Sequence, residues 1–175
     1  MFTEFKASGA QATSKIPTPK IIFFDIDDTL SRAGIIDKTN QATLEALADS
    51  DIKLVISTGR SKAILPPDIL ALLEADVLDS IICMNGQYSF DNHNRISHYP
   101  LTDQQTAKIV HLCQASNLIH KFDSATHISW SDENERLREF NARTPNSIVD
   151  PNYYQTNEVY QCSVFFNNQQ KKMKE

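Results

Sequence analysis

Lys20-Ile-Ile-Phe-Phe-Asp-Ile-Asp-Asp-Thr-Leu30 is the stretch on which the reading of this chain turns. Ile21, Ile22, Phe23 and Phe24 run without alternation into the acids Asp25, Asp27 and Asp28. A short apolar run bounded by polar residues predicts a strand buried on both faces, the kind that sits inside a parallel sheet. Ligands of open parallel sheets collect beyond the carboxyl ends of the strands, and that is where these acids fall. Carboxylates this close in sequence repel one another unless something positive stands between them. A hard cation with oxygen ligands, Mg²⁺ in particular, answers that need.

Working outward, Asp37 or Thr39 is placed to cap a helix whose apolar face is Ala42, Leu44, Leu47 and Ala48, ending near Asp49-Ser50. Ile52-Lys-Leu-Val-Ile56 is the next apolar run. Strand, helix and strand at this spacing make a right-handed βαβ unit with parallel strands. The second strand runs into Ser57-Thr58-Gly59-Arg60, where Gly59 permits the close backbone approach an anion needs and Thr58 offers a hydroxyl. Arg60 begins a connection through Pro66-Pro67 to a helix over Asp68 to Ala75. Val77 to Met84 is a third buried run. The turn signal Asn85-Gly86 follows, and Gln87 to Phe90 with Arg95 to Tyr99 predicts a hairpin.

The Asp-x-Asp-x-Thr-Leu pattern after an apolar strand resembles the first motif of the haloacid dehalogenase superfamily of phosphotransferases. Thr58-Gly59-Arg60 is similar to the second motif in the form used by the Cof-type subfamily, which also has a third strand, Asn-Gly and a small hairpin before an inserted cap. The resemblance covers residues 20–99, and Asp28 stands where the Cof-like branch usually carries Gly. It implies an α/β fold, a Rossmannoid parallel sheet with an inserted α+β cap. It also implies a Mg²⁺-dependent phosphatase of small phosphorylated metabolites such as a sugar phosphate or FMN. In that scheme Asp25 is the nucleophile that forms an aspartyl-phosphate, and Asp27 is the general acid and base. Ile26, Thr58 and Gly59 meet the phosphate, and Asp25 and Asp27 hold the metal, the latter through its backbone carbonyl.

From Leu101 the composition changes. Thr102 with Gln105 reads as a capping box for a helix carrying Ala107, Ile109, Val110, Leu112 and Cys113. Leu118 to Phe122 and Thr126 to Trp130 predict a second hairpin, Glu133 to Arg143 a charged helix, Asn146 to Thr156 a loop, Val159 to Phe166 a strand and Asn168 to Glu175 the first turns of a helix. This order resembles the beginning of the subfamily's cap. The expected organisation is therefore a flexible tail over 1–19, a core over 20–99 and a partial cap over 100–175. Capped members draw specificity from the cap, so His120, Lys121, His127 and Trp130 are the candidate substrate contacts.

The family's later motifs, which supply a phosphate-clamping Lys and a further metal carboxylate, follow its cap. No Gly-Asp-x-x-Asn-Asp occurs in this sequence. The expectation is a truncated phosphatase of impaired turnover. Its alternative is a non-catalytic fragment that binds Mg²⁺ weakly and self-associates through an exposed edge of the first strand.

Other chemistries fit less well. Net charge −5 and no Lys/Arg run beyond Lys171-Lys172 argue against a nucleic-acid partner. No apolar run approaches the roughly 20 residues that span a bilayer. Cys83, Cys113 and Cys162 are isolated and odd in number, which points to a reducing, cytoplasmic setting. The histidines form no His-x-x-x-His pair for zinc, and there is no P-loop lysine motif. A phospho-acceptor receiver domain would also follow a strand with acids, but would not need Thr-Gly-Arg, a hairpin and a second domain.

Overall fold

A computed structural model describes residues 18–166 apart from Ala33, Asn134, Ala142, Arg143 and Pro145. The expected tail up to residue 17 and the helical turns from Asn168 to Glu175 lie outside the described residues. Strand β1 (Ile21–Phe24) leads through a tight turn to a small antiparallel pair, β2 (Ser31–Arg32) and β3 (Ile35–Ile36), and then to α1 (Lys38–Ala48). Asp37 caps α1, its carboxylate accepting the Thr39 N–H at 2.7 Å. Strand β4 (Lys53–Ser57), α2 (Pro67–Glu74), β5 (Ser80–Cys83), β6 (Tyr88–Phe90) and β7 (Arg95–His98) complete a mixed sheet in the order β1-β4-β5-β6-β7. β1, β4 and β5 are parallel, and the β6-β7 hairpin extends the sheet antiparallel, as the sequence predicts.

β1 is not buried on both faces. Ile22 and Phe24 pack on the core formed by Leu44 of α1, Ile69, Leu72 and Leu73 of α2, and Leu54, Ile56 and Ile81 of the neighbouring strands. Ile21 and Phe23 point the other way and stay 44% and 55% exposed. An apolar run without alternation signals cover on both faces. Among the described residues α1 and α2 cover only one, and β1 forms the edge of the sheet. β4, paired on both sides, carries Leu54, Val55 and Ile56 at 0–4% exposure. On α1 the predicted face is narrower than read: Leu44 is buried, Leu47 and Ala48 partly so, and Ala42 faces solvent.

A second sheet follows. α3 (Asp103–Ala115) begins at the predicted capping box, Gln105 N–H donating to Thr102 Oγ1 and Thr102 N–H to Gln105 Oε1. β8 (Ile119–Asp123) and β9 (Ile128–Trp130) form the predicted hairpin, α4 spans Glu135–Asn141, and β11 (Gln161–Phe165) pairs antiparallel with β8. Between them β10 (Ser147–Val149) pairs parallel with β9, inside the stretch read as loop. Its three residues are too few to show a period, and only the free edge of β9 makes a strand of them. The order is β10-β9-β8-β11. Leu101 N–H donates to Val159 O at 2.8 Å, so the segments entering and leaving this sheet run side by side. No described helix is long and apolar enough to cross a membrane.

Two local features bear on stability. Asp28 has φ +57°, a left-handed conformation that Gly adopts freely and Asp tolerates better than bulkier residues. Asp28→Gly is expected to leave the unfolding free energy unchanged or slightly raised. Asp28→Val should lower it by about 1–2 kcal/mol, measured by denaturant titration. His120, 4% exposed under α3, has its imidazole held below its ordinary value by burial. The unfolded chain therefore takes up the proton first as the pH falls. This contribution to stability is complete above about pH 6.5 and is lost as the pH falls through the lower folded value. Tm measured between about pH 7.5 and about pH 5.5 should drop less in His120→Phe than in the parent chain.

Candidate active site

Strand register brings the first two motifs together. Phe24 lies opposite Ile56 in the parallel β1-β4 pair, so Asp25 and the Ser57-Thr58-Gly59 segment leave adjacent strands at the same carboxyl edge. Neighbouring strands run about 4.8 Å apart, so the two turns open side by side beyond the sheet. The β1 turn is built on a single carbonyl: Ile26 O accepts from Leu30 N–H at 3.0 Å and Ser31 N–H at 2.9 Å, with Thr29 N–H at 3.4 Å. Ile26 itself is fully buried. This knot, with Asp28 left-handed, turns the chain so that Asp25 and Asp27 both remain exposed.

One oxygen of Asp25 accepts the Ile26 N–H at 2.8 Å. The Asp25 side chain makes no other hydrogen bond to the described residues, which leaves its second oxygen open. The Asp27 carboxylate is committed differently. Arg60 Nε donates to its Oδ2 at 2.9 Å and Arg60 Nη2 to its Oδ1 at 2.6 Å, a two-point fork that only a guanidinium can make. The hydrogen bonds from Arg60 hold the Asp27 carboxyl below the usual carboxylate range, against a weaker opposing effect of burial. The same bonds raise Arg60. Arg60 is also fixed from behind: Nη1 reaches Ile64 O at 3.3 Å, its N–H donates to Thr58 Oγ1 at 3.1 Å, and its carbonyl accepts the Met84 N–H at 2.9 Å.

Thr58 is 4% exposed, with its N–H on Ile82 O and its carbonyl accepting from Asn85 N–H. Its hydroxyl oxygen accepts from Arg60, so the hydroxyl hydrogen is left to donate to an incoming oxygen. The main-chain N–H groups of Asp27 and Gly59 find no acceptor among the described residues, and both lie at this edge. Met84, Asn85 and Gly86 all have positive φ, and this turn aims the Asn85 side chain at Gly59. A Cβ on Gly59 would come within 3.2 Å of Asn85 Oδ1, so the absence of a side chain there is a matter of space.

Arg60 and Asn85 are the site residues that sequence reading missed. It took Arg60 as the start of a connection and Asn85 as half of a turn signal. The Thr-Gly-Arg triplet was the available clue to Arg60, but its partner lies 33 residues away.

The four candidate substrate contacts divide by strand alternation. Lys121 and Trp130 lie on the face of the second sheet that meets Ile64, where Trp130 clusters with Ile128 and Leu137. Gln161 of β11 shares that face, opposite Asp123, and its Oε1 accepts from Asn85 Nδ2 at 3.4 Å. His120 and His127 lie on the opposite face, against α3 and Tyr153: His120 sits edge-on to Phe122, and His127 beside the Tyr153 ring. The structure does not bring these two histidines to the Asp25 edge. A period of two separates neighbours such as His120 and Lys121 to opposite faces. Lys121 is paired with Asp123 at 2.5 and 2.8 Å, in a nearly buried couple whose acid is pushed upward by burial and pulled down by the lysine. Trp130 is 2% exposed, stacks on Phe165 and donates to Ser147 Oγ, which makes it a packing residue.

The described residues include no group of three His, Cys, Asp or Glu side chains able to hold a metal. A more limited oxygen set is present. The open oxygen of Asp25 and the Asp27 carbonyl, which accepts no hydrogen bond from the described residues, suit an ion that keeps several waters, as Mg²⁺ does. The Asp27 side chain does not join them, because Arg60 occupies both of its oxygens.

Comparison with known proteins bears on the family and the fold. No curated protein matches the chain. Among solved structures, a sugar phosphatase of haloacid dehalogenase subclass IIB superposes with TM-score 0.70 at 25% identity, covering 88% of this chain and 61% of its own. A hypothetical protein from Geobacillus kaustophilus gives TM-score 0.70 at 23% identity, covering 89% and 61%. A protein from Bacteroides thetaiotaomicron, described among phosphatases of the haloalkanoate superfamily, gives 0.71 at 18%, covering 94% and 63%. The chain thus spans about three fifths of the length of these relatives. The family model for haloacid dehalogenase-like hydrolases matches residues 22–175, nearly all of the sequence, and the chain belongs to that family.

Proposed function

We propose that this chain carries the nucleophile half of a Mg²⁺-dependent phosphatase acting on small phosphorylated metabolites, sugar phosphates or FMN among them. In this reading residues 20–99 form the chemical core and 100–175 part of a cap. The observation that supports it is the β1-β4 register, by which Asp25 and the Ser57-Thr58-Gly59 segment leave adjacent strands at one edge, the first with an open carboxylate oxygen and the second with a hydroxyl hydrogen free to donate. Asp25 attacks phosphorus, and the bond to the leaving oxygen breaks as that oxygen takes a proton from Asp27, which carries a proton only when it stands out of the Arg60 fork, since the fork holds the carboxyl ionised. Asp27, now ionised, removes a proton from the water that hydrolyses the aspartyl-phosphate and so recovers its own. Thr58 and the N–H groups of Asp27 and Gly59 donate to the phosphoryl oxygens, and Ile26 N–H joins them if it leaves the Asp25 carboxylate. Mg²⁺ bound by Asp25 and the Asp27 carbonyl would neutralise charge between nucleophile and phosphate.

The assay is phosphate release from sugar phosphates, FMN and p-nitrophenyl phosphate. Any turnover should require Mg²⁺ and vanish in Asp25→Asn, while Thr58→Ala should lower it by about 10²-fold, the loss that follows removal of one transition-state donor. Activity that survives Asp25→Asn would overturn the reading.

A second reading, a chain that binds Mg²⁺ weakly without turnover and associates with itself, is favoured by one observation. β1 is an edge strand with Ile21 and Phe23 exposed beside it. If that edge pairs between copies, sedimentation will show dimers or larger species that Phe23→Lys returns to monomers. A parent chain that is monomeric at all concentrations removes this reading.

A further inference from the structure

The segment Arg60 to Leu65 touches both halves of the molecule. On one side Arg60 holds Asp27 by the two-point fork, and its third nitrogen is anchored on Ile64 O. On the other side the second sheet grips the same few residues. Ser61 Oγ, 2% exposed as a residue, donates to Ser124 O at 2.6 Å. Asn146 Nδ2 donates to Ala63 O at 3.0 Å, and Ile64 packs into the Ile128, Trp130 and Leu137 cluster. Ser61 Oγ also caps the 3-10 turn over Lys62–Ile64 through the Ala63 N–H, so the turn that presents the Ile64 carbonyl depends on the side chain that bonds the second sheet.

We propose that Arg60 is a positioning residue for Asp27, and that its own position is set by the seating of the second sheet on the Ser61–Ile64 turn. With the sheet seated, Ile64 O holds Nη1 and the fork holds the Asp27 carboxylate at one place beside Asp25. When Ser124 and Asn146 release the turn, the Ile64 carbonyl moves and the fork loses its backing. Each link has its atoms in contact, so the coupling needs no path through the sheets themselves. Its catalytic consequence rests on the phosphatase reading above, but the coupling does not.

Two measurements on the whole chain decide it. The first is hydrogen exchange of the Arg60 side-chain Nε–H, followed by NMR and assigned by its loss in Asp27→Asn. Asn146→Ala, an exposed change, and Ser61→Ala with Asn146→Ala should speed that exchange by about tenfold or more. Unchanged exchange in both variants, with Asp27→Asn still releasing the proton, overturns the coupling.

The second measurement is the pre-steady-state time course of turnover. Held ionised in the fork, Asp27 serves the second step, taking the proton of the water that hydrolyses the aspartyl-phosphate. With p-nitrophenyl phosphate, whose leaving group needs no proton donor, Arg60→Met should therefore release about one nitrophenolate per chain in a burst and then turn over about 10²-fold more slowly than the parent chain. A time course with no burst overturns the positioning role. If no Asp25-dependent turnover exists, the phosphatase reading falls and the exchange measurement alone decides the coupling.

Discussion

Parallel pairing of β1 with β4 is the constraint from which the rest of this molecule follows. Parallel neighbours cannot be joined by a tight turn, so α1 must cross over between them, and both strands then deliver their carboxyl ends to one edge. That edge gathers backbone groups with no partner inside the sheet, together with the acids of the first turn and the hydroxyl of the second. The later pairing of β4 with β5 adds a third exit at the same edge, and Asn85 leaves from it. Groups from separate stretches of chain meet because hydrogen bonding along the strands leaves them no other register.

Burial of the sheet is lopsided, and this shapes its surface. α1 and α2 lie against the face that carries Ile22, Phe24, Leu54, Ile56 and Ile81. The other face of β1 shows Ile21 and Phe23 to solvent. Full burial of a large apolar side chain contributes about 1.5–3 kcal/mol, and Ile21 and Phe23, about half exposed, forgo part of it.

The ion pair of Arg60 with Asp27 joins what the two strand-end turns hold separately. Its fork is about half exposed on the acid side, so charge alone stabilises the fold little. Geometry gives it importance. Arg60 is pinned at its N–H, its carbonyl and its third side-chain nitrogen, and a side chain held at so many points offers its carboxylate partner one place to stand. The hydrogen bonds from Ser61 and Asn146 to and from the second sheet then make that place a property of both sheets together.

Much of this was written locally in the sequence. Apolar runs predicted β1, β4 and β5, a cap of α1 at Asp37 or Thr39 and the capping box of α3 were visible in three or four residues, and the motifs at Asp25 and Thr58, each read as following a strand, leave their strands at one edge of the sheet. Such signals are legible because their causes, backbone N–H groups at a helix end or side chains alternating along a strand, act over neighbouring residues. Tertiary structure alone decided which face of β1 is covered, that His120 and Lys121 part to opposite sides of the second sheet, that Ser147–Val149 becomes a strand, and that Arg60 spans 33 residues to reach Asp27. Those outcomes depend on what packs against a segment once the crossover is made, and no run of adjacent side chains encodes the identity of a distant partner.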